Sequence, residues 1–127
     1  MASFIDANLI LRYLLNDPQA ESIEQLFQKQ EELILSSIVI AEVVWTLTSF
    51  YHWKKDQIIP PLLSLIRLPF IKVDKNLILN ALEIYHQHNI DYIDAYLVAL
   101  MNKKRVKTLY SYDRHFDKVK SIKRLRP

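Results

Sequence analysis

Residues 3–15 read SFIDANLILRYLL, a short apolar run that ends on an acid and continues directly into a helical pattern. Ser3–Ile5 has the length and composition of a strand, and Asp6 follows it. Asn8–Leu15 spaces its apolar residues as a helix does, and Asn16 can end that helix because asparagine tolerates the left-handed conformation. The same order, a short strand followed by a longer helix, is predicted along the rest of the chain.

The remaining elements continue this alternation. Three more strands are predicted at Leu33–Leu35, Phe70–Val73 and Thr108–Ser111, with a last edge strand at Ser121–Leu125. Predicted helices run from Asp17-Pro18 to Gln30, from Ser36 or Ser37 to Phe50, from Asp56 to Leu68, from Lys75 to His88 and from Asp91 to about Lys103. Pro60 and Pro61 each remove an amide donor, so we expect them to kink the fourth helix or to delay its start.

Short strands that alternate with longer helices are typical of parallel sheets covered by helices on both faces. We therefore predict an α/β fold, a three-layer α/β/α sandwich with a central, mostly parallel sheet of four to five short strands. The length of 127 residues predicts one domain, residues 1–127.

The composition excludes several classes of function. The chain has no cysteine, which removes thiol nucleophiles and cysteine-ligated metal sites. It also has no glycine, so phosphate-binding loops, dinucleotide turns and the nucleophile elbow of hydrolases are absent. The most apolar window, residues 33–50, carries Glu42 near its centre, and a charge there disfavours membrane insertion. We expect a cytoplasmic protein that does not bind a membrane.

Charge is distributed unevenly along the chain. Residues 1–102 carry 7 basic and 12 acidic side chains, whereas residues 103–127 carry 10 basic and 2 acidic ones. The balance is therefore −5 before residue 103 and +8 after it. An acidic body with a basic end indicates a cation site beside a surface for a polyanion, although a solvated C-terminal surface is the simpler reading.

Acidic residues follow the predicted strands. Asp6 and Asp113 come after the first and fourth strands, and Glu42 lies one turn into the helix that follows the second. Asp91 and Asp94 open a later helix. Because the carboxyl ends of parallel strands share one edge of a sheet, we expect Asp6, Glu42 and Asp113 at one rim, with the helix of Asp91 and Asp94 projecting onto it.

Each of these acids also has a purely structural interpretation. Asp6 can cap the helix after it, and Asp113 can be a turn residue. Asp91 and Asp94 can form a variant of the capping box. Glu42 can face water on a polar stripe with Thr46 and Ser49. Alone, none of the four placements is informative, but all four together are.

Carboxylates crowded at one rim repel each other. Two unit charges 4 Å apart at an effective dielectric near 20 cost about 4 kcal/mol. Such a cluster persists when one member is protonated or a cation neutralises it. Because only oxygen ligands are present, Mg²⁺ or Mn²⁺ is the expected ion. A carboxylate-held cation beside a basic surface suits the hydrolysis of phosphodiester bonds.

At this point the sequence resembles the PIN domain family, and within it the small VapC-type ribonuclease toxins of toxin–antitoxin pairs. The resemblance is carried, in order along nearly the whole chain, by Phe4-Ile5-Asp6-Ala7-Asn8, by Ser37 with Ala41-Glu42-Val43, by Asp91-Tyr92-Ile93-Asp94-Ala95 and by Ser111-Tyr112-Asp113. The absence of glycine and the Pro60-Pro61 pair depart from the family's pattern, but neither affects the acids.

The resemblance implies a role for each matching residue. Asp6 and Asp94 would be the main metal ligands, Asp113 would complete the site, and Glu42 would hold metal-bound water or orient a ligand. Three further residues would play auxiliary parts: Asn8 would fix Asp6 by a hydrogen bond, Ser111 occupies a position where the family often has Thr or Ser, and Asp91 resembles an auxiliary acid of part of the family.

The resemblance also implies an activity and partners. The family's reaction is Mg²⁺- or Mn²⁺-dependent endonucleolytic cleavage of RNA. Its toxins usually form homodimers and are inhibited by a small cognate antitoxin protein that inserts a peptide into the active-site groove. The alternative is a catalytically silent PIN-like module that binds RNA or protein. Retention of all four acids favours the enzyme, because a binding module has no physical need to crowd carboxylates.

Overall fold

The computed structural model describes residues 1–127, which divide into two compact units, Met1–Lys75 and Asn76–Pro127. The first unit contains β1 (Ser3–Phe4), α1 (Ala7–Leu14), α2 (Ala20–Gln28), β2 (Leu33–Ile34), α3 (Ser37–Ser49), α4 (Lys55–Ile66) and β3 (Ile71–Lys72). The second contains α5 (Lys75–Gln87, whose first residue closes the first unit), α6 (Tyr92–Lys104), β4 (Thr108–Tyr110), a 3₁₀ helix (Arg114–Lys118) and β5 (Lys123–Leu125).

The sheet of the first unit is parallel, in the order β1-β2-β3, with Ser3 opposite Leu33 and Leu33 opposite Ile71. Its ladder continues one residue past each strand, because Ile5 N donates to Ile34 O (3.1 Å) and Leu35 N donates to Lys72 O (2.9 Å). The chain therefore leaves β1 and β2 at the same edge. The residues that follow these strands and begin the next helices lie at that edge.

In the second unit, β4 and β5 pair in parallel, with Tyr110 opposite Leu125. The predicted α/β class is confirmed, and every strand pairing is parallel. The five strands form a three-stranded and a two-stranded sheet, whereas the sequence predicted one central sheet. With two or three residues each, these strands offer few ladder hydrogen bonds, so most of the stability comes from packing of the helices.

Each unit has its own apolar core. In the first, α3 and α4 bury branched side chains completely, among them Ile40, Leu47, Ile58 and Leu62. In the second, α5 and α6 bury Ile78, Leu82, Ala95 and Val98, and the 3₁₀ helix buries Phe116. Each such aliphatic side chain larger than alanine contributes about 1.5–3 kcal/mol on burial. None of the helices is both long and apolar enough to cross a membrane.

One local prediction is wrong, and one of the two alternatives for the prolines is excluded. Helix α2 begins at Ala20 rather than at Asp17-Pro18, because the Asp17 side chain accepts from Gln19 N (2.8 Å) in a turn and pairs with Arg12 (3.2 Å). Helix α4 begins at Lys55 and contains both Pro60 and Pro61, so the prolines do not delay its start. The five buried side chains of α4 offset the two lost amide donors.

A chain without glycine ends its helices with other residues in the left-handed conformation. Asn16 (φ 53°), Gln30 (φ 54°), His52 (φ 57°) and Arg105 (φ 58°) follow α1, α2, α3 and α6. The prediction for Asn16 is confirmed. For residues other than glycine this conformation costs about 1–2 kcal/mol, and asparagine pays least because its side chain bonds locally.

Candidate active site

Asp6 lies between β1 and α1 at the edge where the chain leaves the sheet. It is the N-cap residue of α1, and its Oδ1 accepts a hydrogen bond from Leu9 N (3.0 Å). The side chain is exposed. The capping interpretation of Asp6 is therefore correct as geometry. It leaves Oδ2 available to a ligand, because one carboxylate oxygen suffices for the cap.

Asn8, the second residue of α1, has a partner that the sequence did not indicate. Its Oδ1 accepts from Arg12 Nε (2.8 Å), and Arg12 Nη1 reaches Asp17 Oδ2 (3.2 Å). The structure thus connects Asn8 to a polar chain along α1. The predicted hydrogen bond from Asn8 to Asp6 stays a hypothesis about the loaded site.

Glu42 lies in the second turn of α3, and its side chain is exposed. The stripe with Thr46 and Ser49 therefore does face water at Glu42 and Ser49, while Thr46 is half-buried. Of the two serines that the sequence offered as the cap, Ser36 caps this helix by accepting from Val39 N (3.3 Å). An exposed carboxylate on a capped, buried helix is free to act on a ligand without the desolvation that burial would impose.

Asp91 and Asp94 begin α6 in the second unit. Asp91 is the N-cap residue by its backbone angles, but its side chain makes no capping hydrogen bond. The capping-box interpretation of this pair is therefore wrong. Asp94 lies in the first turn and is half-buried. Carboxylates in a first helical turn are favoured by the helix dipole, which partly offsets the repulsion described next.

The charge on Asp94 is destabilised by its surroundings. Burial raises the pKa of the Asp94 carboxyl above its ordinary value, and the nearby carboxylates of Asp113 and Asp91 raise it further, while His115 opposes them. Asp113 and Asp91 therefore both lie within electrostatic reach of Asp94. The predicted rim of Asp6, Glu42 and Asp113, with the helix of Asp91 and Asp94 projecting onto it, stays a prediction.

Asp113 is held in a tight turn after β4. Its Oδ1 accepts from His115 N (2.8 Å) and lies 2.6 Å from His115 Nδ1, and its own backbone N–H donates to Ser111 Oγ (2.9 Å). The hydrogen bonds from His115, the backbone one first, hold the pKa of Asp113 below its usual value. Asp113 thus stays charged, and its charge is one reason that Asp94 resists ionisation.

The turn around Asp113 is fastened by residues that sequence reasoning missed. Arg124, on β5, donates from Nε and Nη2 to both oxygens of Asp117 (2.9 and 3.1 Å) and from Nη1 to Ser111 O (3.0 Å). These contacts join β5, the 3₁₀ helix and the turn. Opposite charges at Asp117 and Arg124 carry no periodic signal, so only the fold could identify this pair, and the same is true of His115.

A preformed metal cluster is absent, and a shallow surface cleft lies in the first unit. No three His, Asp or Glu side chains converge into a ready-made metal cluster. A shallow cleft of about 430 Å³, lined by Gln30, Glu32, Leu68, Pro69, Phe70 and Lys72, lies mainly before β2 and β3, at the edge opposite Asp6. Mg²⁺ is commonly held by one or two carboxylates, with water and substrate phosphates as its other ligands. The crowded pair of Asp94 and Asp113 fits that requirement.

Fold and site together define an α/β protein with parallel strands, in which acids follow strand ends and crowd the start of a helix. A family model described as "PIN domain" matches residues 3–122. The chain therefore belongs to the PIN domain family, as its sequence motifs indicated.

Among curated proteins, the chain is similar to a VapC ribonuclease of Aquifex aeolicus, with 26% identity over 121 residues, 91% of this chain and 90% of the relative. Among solved structures, it is similar to the VapC20 toxin of Mycobacterium tuberculosis, described as cleaving the sarcin-ricin loop (20% identity, TM-score 0.41, 98% of this chain and 99% of that one). A toxin–antitoxin complex from Klebsiella pneumoniae also matches (15% identity, TM-score 0.36, 97% and 96%).

Proposed function

We propose that this protein is a metal-dependent endoribonuclease and the toxin component of a type II toxin–antitoxin pair. Membership of the PIN domain family and similarity to a VapC ribonuclease over nine-tenths of both chains support the proposal. The observation that carries it is the position of Asp94, half-buried in the first turn of α6, where burial raises its pKa and the neighbouring carboxylates of Asp113 and Asp91 raise it further. A surface that only bound RNA would gain nothing from acids that repel both each other and the RNA.

The proposal assigns Asp6, Asp94 and Asp113 as ligands of one Mg²⁺ or Mn²⁺ ion. Their carboxylate oxygens are the donors that these ions prefer. When bound, such an ion lowers the pKa of a coordinated water and orients a phosphate oxygen. Asp113 and Asp91 disfavour the negative charge on Asp94. A bound cation would remove this electrostatic penalty, so the repulsion contributes to the affinity for the ion.

The other residues act on position and on protons. Glu42 is exposed and is assigned to orient the attacking water by accepting its hydrogen bond. Ser111 accepts from the Asp113 backbone N–H and keeps the turn in place. Asn8 and Asp91 are assigned as auxiliary groups near Asp6 and Asp94. Second-sphere groups of this kind typically change metal affinity or activity about 10- to 100-fold.

The first experiment is calorimetric titration of Mn²⁺ and of Mg²⁺ into the protein and into its Asp94→Asn variant. We expect saturable binding to the wild type and none to the variant. Glu83→Gln is the matched control, since Glu83 is an exposed acid of the second unit that bonds only its helix neighbour Gln87 (3.3 Å). It should bind the ions as the wild type does.

Cleavage of total cellular RNA completes the test. The wild type should cut RNA only with a divalent ion, EDTA should stop the reaction, and Asp94→Asn should be inactive at every ion concentration. An intact variant that still cuts RNA would overturn the assignment of Asp94. If the wild type binds RNA but does not bind the ions and does not cut RNA, the protein is a silent binding module instead.

The proposal also states that the protein acts on RNA in the cytoplasm and is inhibited by a small antitoxin protein. It is supported by the resemblance to VapC-type toxins and by the absence of a helix that could cross a membrane. Induced expression should arrest bacterial growth, and Asp94→Asn expressed to the same level should not. Co-expression of a cognate antitoxin should restore growth, and the antitoxin should co-purify with the toxin.

We also propose a homodimer. Ile38 and Trp45 lie seven residues apart on one face of α3 and are 79% and 61% exposed, an apolar face that a second copy could cover. Analytical ultracentrifugation should detect a dimer. Trp45→Glu should shift the protein to monomer, whereas Ser64→Glu, at an exposed position of α4, should not.

A further inference from the structure

Two exposed tyrosines flank the turn that carries Asp113. Tyr110 ends β4 and Tyr112 directly precedes Asp113, and each side chain is 69% exposed. Large aromatic side chains normally bury most of their surface, because each removes 150–250 Å² from water when it does. Two of them left open beside a proposed ligand site indicate a surface that is covered when the ligand is bound.

The backbone around Tyr112 is fixed on both sides. Ser111 N donates to Leu125 O (3.0 Å), Ser111 O accepts from Arg124 Nη1 (3.0 Å), and Asp113 N donates to Ser111 Oγ (2.9 Å). Tyr112 therefore lies on a turn held by hydrogen bonds to β5. A side chain presented from such a turn loses little backbone freedom when a ligand binds.

One face of the Tyr112 ring carries a cation. The Arg126 guanidinium carbon lies 5.9 Å from the centre of this ring. The contact orients the ring, and it places a positive charge beside it. Since the ring is still 69% exposed, the rest of its surface is open to a planar ligand. A flat aromatic surface next to a guanidinium suits a nucleotide, because the ring stacks on the base and the cation attracts the phosphate.

The charge of the surrounding chain selects the class of ligand. Residues 103–127 carry ten basic and two acidic side chains, and both acids are engaged, Asp113 with His115 and Asp117 with Arg124. A polyanion is therefore the complementary ligand. Single-stranded RNA is the polyanion whose bases are free to stack, whereas in a duplex they are already paired and stacked.

We propose that Tyr112, with the Arg126 guanidinium against its ring, stacks on an RNA base adjacent to the phosphate that is cut. The inference rests on the proposed function, since that function places a phosphate near Asp113. Tyr112 directly precedes Asp113, and consecutive Cα atoms lie about 3.8 Å apart. A base stacked on Tyr112 would therefore be a neighbour of the phosphate at Asp113. Stacking accepts any base, so this subsite contributes to affinity rather than to the choice of sequence.

The test combines kinetics with crosslinking. Tyr112→Leu should raise the KM for a random-sequence single-stranded RNA pool roughly tenfold, in the range of base–aromatic stacking, and leave kcat nearly unchanged. Tyr112→Phe keeps the ring and should behave as the wild type. Tyr51→Leu is the matched control, because Tyr51 is an exposed tyrosine (43%) of the first unit. Thermal unfolding should confirm that each variant is folded.

Photocrosslinking of the same pool containing 5-iodouridine locates the contact directly. Trypsin cuts after Lys107 and after Arg114 and so releases residues 108–114 as one peptide. This peptide contains Tyr110, Tyr112 and Asp113. The expected crosslink falls on Tyr112 within this peptide. Arg126→Gln should weaken the crosslink and raise KM, whereas Arg67→Gln, an exposed arginine of the first unit, should do neither.

The outcomes separate this inference from the proposed function. Metal-dependent cleavage with an unchanged KM in Tyr112→Leu, or crosslinks confined to other peptides, would overturn the stacking role and leave the nuclease standing. A crosslink at Tyr112 in a protein that never cuts RNA would support the subsite and overturn the nuclease. A wild type that neither binds nor cuts RNA would overturn both.

Discussion

Asp6 in the first unit and Asp94 in the second are both proposed to hold the same ion, yet the protein treats them differently. Asp6 is exposed and its Oδ1 caps α1 through Leu9 N at 3.0 Å. Asp94 is half-buried, no capping bond is assigned to it, and burial with two neighbouring carboxylates raises its pKa. The Asp6 cap therefore favours α1, whereas the surroundings of Asp94 disfavour its ionised form.

The difference shows two ways to present a carboxylate to a cation. A capping bond orients the group and adds about 1 kcal/mol to stability, but it occupies one oxygen. Crowding leaves the oxygens available and makes the unbound state less favourable, so binding of a cation relieves it. Asp113 shares features of both, because its Oδ1 accepts from His115 N while its charge acts on Asp94.

The largest expected effect comes from separating the two functions of Asp6. Asp6→Asn keeps the cap, since asparagine caps as well as aspartate, and Asp6→Ala removes it. Both should lower RNA cleavage more than about 100-fold, because loss of an outer-sphere partner alone reaches that range and a ligand matters more. Only Asp6→Ala should lose stability, by about 1 kcal/mol in urea unfolding.

Ser36→Ala is the control for this pair. It removes the cap of α3, in which Ser36 Oγ accepts from Val39 N, and involves no acid. It should be destabilised by about 1 kcal/mol and still cut RNA. Full activity in a folded Asp6→Asn variant would mean that Asp6 is a helix cap and nothing more.

The second effect concerns the turn of Asp113. Arg124→Ala removes the contacts to Asp117 and to Ser111 O, so the turn should become mobile and cleavage should fall roughly tenfold through misplacement of Asp113. Arg124→Lys keeps the charge but not the two-pronged contact, and it should recover only part of the activity. Equal activity of all three proteins would show that the turn is held by Ser111 and His115 alone.

How much of this was accessible from the sequence differs between the two units in an instructive way. The strand–acid–helix order around Asp6 follows from local rules and was predicted, and so was a serine cap of α3, although the sequence did not choose between Ser36 and Ser37. The start of α2 was not, because Asp17 is drawn into an ion pair with Arg12 on the preceding helix. Pro60 and Pro61 do not delay the start of α4, because burial of its side chains outweighs two missing donors.

In the second unit the sequence located the acids but not what holds them. Asp91, Asp94 and Asp113 were identified from their positions after strands and at a helix start. The contacts of Asp113 with His115 and of Asp117 with Arg124 depend on how β5 returns beside β4, and no periodicity encodes that. The same applies to Arg126 against Tyr112, which requires the parallel register of Tyr110 and Leu125.

A smaller effect tests whether Asp94 destabilises the fold. Because its pKa is raised in the folded protein, ionisation of Asp94 disfavours folding, and stability from this group falls as the pH rises from the usual aspartate range. Asp94→Asn should therefore melt a few degrees higher than the wild type at neutral pH, in EDTA, and about equally at pH near 3. Asp6→Asn should show no such gain.

Addition of the ion should reverse the order of the two melting temperatures. Mn²⁺ should raise the melting temperature of the wild type, since a ligand that binds only the folded state stabilises it in proportion to its saturation, and should leave Asp94→Asn unchanged. A wild type that is already the more stable protein in EDTA would contradict the view that crowding at Asp94 is a strain that the ion relieves.

The smallest effect concerns Tyr92, a buried neighbour of the acids at the start of α6. Tyr92 lies between Asp91 and Asp94, its hydroxyl is buried without a hydrogen-bond partner, and burial raises the pKa of its phenol above the ordinary value. Above about pH 10 the unfolded chain releases that proton and the folded chain keeps it, so stability falls as the pH rises. Tyr92→Phe removes the unpaired hydroxyl, and we expect it to be neutral to about 1 kcal/mol more stable at neutral pH, with a larger gain near pH 11.

Urea unfolding at both pH values measures this, with Tyr51→Phe, an exposed tyrosine, as the control. If Tyr92→Phe unfolds more easily at neutral pH, the hydroxyl has a partner such as a buried water, and the strain in this unit belongs to the carboxylates alone.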